Sequence, residues 1–115
     1  MNLVELSMFI FGIYIAVVAL TFVFVPNMFL KLFRFEPTTE PWIRVLGIII
    51  AILAYYYIHS ALVGIPDFFW LTVWGRFALL PSFLLLVLAG KAKRQLIGFG
   101  VVDAAFAVWT LLALL

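Results

Sequence analysis

The sequence predicts an all-α integral membrane protein, a single four-helix transmembrane bundle. Three observations predict it. The 115 residues are 69% hydrophobic and only 10% charged, with a mean hydropathy of +1.33. A soluble domain of this size leaves too much of its area in water to hide that much apolar surface, so the expected solvent is lipid. The apolar residues fall into four runs, at about 3–25, 42–63, 68–90 and 95–115, each near the ~20 residues that a helix needs to cross a bilayer. A closed set of helices satisfies every backbone polar group internally, which hydrocarbon demands.

Composition also excludes several chemistries. With no cysteine, disulfides, thiolate metal sites and redox dithiols are ruled out. One histidine makes a metal site a poor expectation, and neither a metal nor a cofactor is predicted. The net charge of +2 reads as basic loops at a membrane surface rather than as a nucleic-acid interface. The length allows one domain, 1–115.

The first run, Met1 to Val25, reads as a span and not as a signal peptide. No Lys or Arg precedes it and no small-x-small cleavage site follows it. Glu5, Gly12, Ala16 and Ala19 share one helical face, and small residues there let another helix come close in lipid. Pro26 and Asn27 end the helix. The next segment, Met28 to Phe35, mixes large apolar residues with Lys31 and Arg34. It reads either as an interfacial turn of helix at the headgroups or as a basic end to the first helix followed by a loop. Glu36 to Pro41 is a polar linker whose two prolines cannot continue a helix.

The second span opens on Trp42 and Arg44, an aromatic and a basic anchor. Gly47, Ala51, Ala54 and Ile58 form a small-residue stripe along it, and Tyr55, Tyr56 and Tyr57 point in three directions. Gly64 to Asp67 reads as a tight turn. Phe68, Phe69 and Trp70 begin the third span, and Pro81 inside it predicts a kink. Lys91 to Arg94 connects to the fourth span, where Gly100, Asp103, Ala107 and Thr110 share a face and the other side is bulky. The glycines of Gly98-Phe99-Gly100 are expected to serve helix packing rather than a nucleotide loop.

Orientation follows from charge. Six of the seven Lys and Arg residues lie in or beside the first and third connections, while the second carries Asp67. The positive-inside rule then puts those two connections in the cytoplasm and both termini outside, in a multi-pass protein of the inner membrane.

Arg76 lies within the third span. An arginine at the bilayer centre costs from ~2.5 kcal/mol to more than ~10 kcal/mol, so a neighbour is expected to answer its charge. The apolar runs supply Asp103 first, then His59 and Glu5. With ~1.5 Å of rise per residue, Arg76 lies roughly 4 to 5 Å outward of the middle and Asp103 roughly 3 Å inward. His59 is roughly 9 Å outward and Glu5 roughly 13 Å outward. These groups form a ladder towards the outer surface, with Tyr55 one turn before His59. The plain reading is an Arg76–Asp103 ion pair that locks the third and fourth spans, His59 bonded near the interface, Glu5 wet at the headgroups and the tyrosines as packing. The sharper reading makes the ladder a ligand, proton or ion site.

PWIRVLG (41–47), the tyrosine-rich second span, TVWGR (72–76) and LIGFGVVDAAFAVWT (96–110) together resemble small four-helix bacterial membrane proteins of the BphX-like and DoxX-like kind. The resemblance covers most of the chain from Pro26 onward. It implies the four-helix fold and weight on Arg76 and Asp103, and it implies no reaction.

Three function classes fit these features. One is a binding or accessory protein for a lipophilic molecule or a larger membrane complex, which needs only a bulky lipid face and one polar interior. Another is an oligomeric small transporter or channel, although four helices alone seldom enclose a path. The third is a membrane-embedded acid–base enzyme using Glu5, His59 and Asp103, residues of the right types with no spacing motif behind them.

Overall fold

A computed structural model describes all 115 residues, Met1–Leu115. The chain is all-helical: α1 (Leu3–Phe24), α2 (Pro26–Leu32), α3 (Trp42–Val63), α4 (Pro66–Leu88) and α5 (Gln95–Leu114). Four of the five, all but α2, are long and apolar enough to cross a membrane.

Local chemistry sets each boundary. Asn2 caps α1: its Oδ1 accepts from the Glu5 backbone N–H at 2.8 Å, and Glu5 Oε1 accepts from the Asn2 N–H at 3.3 Å. This reciprocal box satisfies two of the donors that a helix start leaves free. Pro26 stops α1 and starts α2 at once, because a proline lacks an N–H and its fixed φ suits the first helical turn. Gly64 ends α3 at φ 81, the left-handed conformation that glycine adopts without a Cβ penalty. Pro66 then opens α4 within the segment expected to be turn, two residues ahead of the expected start. The helix continues through Pro81 to Leu88.

The long helices pair as two antiparallel hairpins, α1 with α3 and α4 with α5, joined by α1 against α5. Glycine sets the closeness of the first pair. A Cβ on Gly12 would lie 2.8 Å from Ile58 Cγ1, and one on Gly47 would lie 2.8 Å from Phe22 Cβ. In the second pair Gly100 backs onto Leu80 in the same way, where a Cβ would meet Leu80 Cα at 3.1 Å. Gly98 differs from the expectation: it faces outward with nothing near it, so only Gly100 packs.

The core gathers Met8, Phe11, Ile15, Ala54, Tyr57, Ala61 and Phe69. The outer faces are lined with Ile, Val, Leu, Trp and Tyr, in keeping with four helices apolar enough to cross a membrane. At the end away from the termini, α2 turns back over the bundle. Phe99 collects Phe33, Phe29 and Phe35 at ring-centroid distances of 5.0, 5.6 and 6.2 Å.

Candidate functional site

Arg76 is the largest fully buried side chain, 2% exposed. Side chains on a helix lean towards its N-terminus. Arg76 follows this rule and folds back one turn along α4. Its Nε donates to the Thr72 carbonyl at 3.2 Å, and its Nη2 donates to Thr72 Oγ1 at 3.2 Å. The Thr72 hydroxyl has one proton, which goes to the Phe69 carbonyl at 2.8 Å. That leaves Met8 Sδ, 3.6 Å from Nη2, as a soft second acceptor from α1. Aromatic rings cover the rest. The guanidinium carbon lies 4.8 Å from the Phe11 ring centroid and 5.6 Å from that of Tyr57, within cation–π range. Nη1 is buried without a hydrogen-bond partner.

The expected Arg76–Asp103 ion pair is not formed. The one ion pair within 4.0 Å in the structure is Lys93–Glu36, at 3.7 Å. The reason is directional. Arg76 folds back towards the N-terminal end of α4, and in an antiparallel hairpin a side chain on α5 that obeys the same rule leans the opposite way. Asp103 is half-buried on α5.

The ladder to the outer surface is not formed either. Tyr57 occupies the buried face of α3, so Tyr55 and His59, a turn apart on the other side, both point outward. Their rings stack on each other at 5.7 Å. Glu5 is engaged in the α1 capping box, with Oε2 near Gly64. No group of three or more His, Asp or Glu side chains comes together. Glu5, His59 and Asp103 therefore do not form one cluster of the kind that could hold a metal ion.

Set against family models, curated proteins and solved structures, the chain matches none. The site is therefore read from its own geometry.

Sequence reasoning missed Ser7, Met8, Phe11 and Thr72. Ser7 Oγ and Thr110 Oγ1 lie 2.7 Å apart, buried between α1 and α5. Ser7 also donates back to the Val4 carbonyl at 2.7 Å, so Thr110 supplies the proton between the two hydroxyls. A hydroxyl in an apolar run was the available signal for Ser7, and the one-turn spacing to Arg76 was the signal for Thr72. Met8 and Phe11 carry no signal that separates them from ordinary core.

Arg76 lines neither of two surface grooves. One is wholly apolar, about 410 Å³, and runs between α1 and α3 past Ala19, Leu20, Val23, Ile52 and Tyr55. The other lies by the first connection, between Asn27, Thr38, Glu40 and Arg44. There Asn27 Oδ1 accepts from the Thr38 N–H at 2.8 Å, and Arg44 Nη1 donates to the Val23 carbonyl.

Proposed function

We propose that this chain is a small multi-pass membrane protein that binds through its outer faces, as a holder of a lipophilic molecule or an accessory subunit of a larger membrane complex. One observation carries the reading: Arg76 is enclosed by Met8, Phe11, Tyr57 and Thr72. A cation so enclosed fixes helix positions and is out of reach of a ligand. What the long helices leave open is mostly hydrocarbon, and the α1/α3 groove past Tyr55 offers an alkyl chain a wholly apolar lining. The same proposal places the protein in a bacterial inner membrane with both termini outside. The likeness to BphX-like and DoxX-like proteins belongs to it as well.

The chain has no cysteine, so single cysteines report cleanly. A fluorophore on Ile52→Cys, in the groove, should be quenched saturably by a doxyl-labelled fatty acid in detergent. The same fluorophore on Val108→Cys, on the exposed side of α5, should be quenched only in proportion to added probe. Equal, unsaturable quenching at both positions sinks the groove as a binding site. For orientation, an impermeant maleimide on intact cells should label Asp67→Cys and spare Thr39→Cys. The opposite pattern reverses the assignment.

A further inference from the structure

The fold brings together cations that the sequence keeps apart. Lys31 and Arg34 belong to α2 and its exit, whereas Lys91, Lys93 and Arg94 lie about 60 residues later in the α4–α5 connection. Three contacts dock the two segments. Gln95 Nε2 donates to the Arg34 carbonyl at 3.0 Å, Lys93 Nζ meets Glu36 Oε1 at 3.7 Å, and Phe99 gathers the aromatic rings of the α2 segment. Lys31, Arg34, Lys91 and Arg94 have no carboxylate within 4.0 Å, and all four are exposed. Beside them Met28, Leu32 and Phe33 are exposed apolar side chains on or next to α2.

We propose that this end of the protein is a binding surface for anionic phospholipid. Apolar side chains next to unpaired cations suit the boundary where acyl chains meet headgroups. There the short α2 sinks Met28 and Leu32 among the chains and raises Lys31 to the phosphates. Arg34, Lys91 and Arg94 form the rest of the same collar. A guanidinium offers a phosphate diester a planar fork of donors, and each lysine adds a compact charge. The opposite end, with Glu5 and Asp67, has no such collar. The two ends therefore sort between leaflets by lipid charge. The inference rests on the membrane reading above and adds to it a ligand class and a place.

The test uses the full chain reconstituted with spin-labelled lipids. The motionally restricted fraction of labelled phosphatidylglycerol is compared with that of labelled phosphatidylcholine. Wild type should prefer phosphatidylglycerol at low salt, and the preference should fall as salt rises. The variant K31Q/R34Q/R94Q should lose the preference, by up to about fivefold per cation removed. Asp67→Asn at the other end should keep it. Equal restriction of the two lipids by wild type overturns the proposal, as does a triple variant that behaves as wild type. If inorganic phosphate displaces the labelled lipid where chloride at the same ionic strength does not, a free anion is the ligand and the lipid assignment is overturned. Flotation with phosphatidylcholine vesicles after alkaline extraction separates the two readings. A chain that does not float defeats the membrane reading and this proposal with it. A chain that floats without lipid preference defeats this proposal alone.

Discussion

In the middle of the bundle Arg76 is 2% exposed and its ligands are a threonine, a thioether and two aromatic faces. At the end away from the termini Lys31, Arg34, Lys91 and Arg94 are open, and the one charge pair there is the solvent-exposed Lys93–Glu36. The same kind of charge thus has two fates. The interior cation is held by neutral groups packed around it, and it binds α4 to α1 and α3. Lys31, Arg34, Lys91 and Arg94 have no carboxylate partner and are free to meet whatever lies outside. Removing a residue that encloses Arg76 should therefore disturb the whole bundle, whereas removing a peripheral cation should disturb only what binds to it.

The largest expected effect comes from opening the enclosure. Phe11→Ala removes a core ring and one cation–π face together, and should cost about 3–5 kcal/mol of unfolding free energy in detergent. A loss below about 1 kcal/mol would show that the ring is not holding Arg76. The next effect tests whether the interior cation has a hidden acidic partner. Removing one partner of a buried ion pair costs about 3–5 kcal/mol because it strands the other charge, and removing both relieves much of that loss. Because Arg76 and Asp103 do not touch, the cycle of Arg76→Leu, Asp103→Leu and the double variant should give a coupling below about 1 kcal/mol. A strong rescue in the double variant would mean that the pair closes in the membrane. Ser7→Ala removes one interhelical hydroxyl contact and should cost about 0.6 kcal/mol by the same unfolding assay. Smallest of all, Arg94→Gln should leave unfolding within about 0.5 kcal/mol of wild type. A large loss there would erase the contrast between interior and periphery.

Much of this was legible in the sequence, because lipid simplifies the grammar. Four long apolar runs, the stop at Pro26 and the small faces at Gly12, Gly47 and Gly100 all follow from periodicity and backbone chemistry. That Arg76 matters was also legible, since a cation in hydrocarbon is always notable. Its partner was not. Choosing Asp103 assumed that opposite charges at similar depth meet, and ignored the lean of helical side chains that carries them apart in an antiparallel pair. Glu5 was misplaced for a simpler reason. Asn2-x-x-Glu5 itself spells a capping box, and a local role of that kind outranks a distant one. The two readings of His59 stayed open because one choice among Tyr55, Tyr56 and Tyr57 fixes the rotation of α3, and the sequence allows all three. The collar at the other end was half legible. The cations were visible, but the Phe99 contacts that unite them join segments far apart in the chain.

The enclosure of Arg76 also has a consequence in time. Met8, Phe11, Tyr57 and Thr72 all precede Arg76 in the chain. As the polypeptide is made, these groups have emerged before the cation they shelter, and α5 with Asp103 follows α4. The most costly side chain to bury therefore finds its shelter among helices already made. An aspartate partner on α5 would have left the arginine unanswered until the next helix had followed.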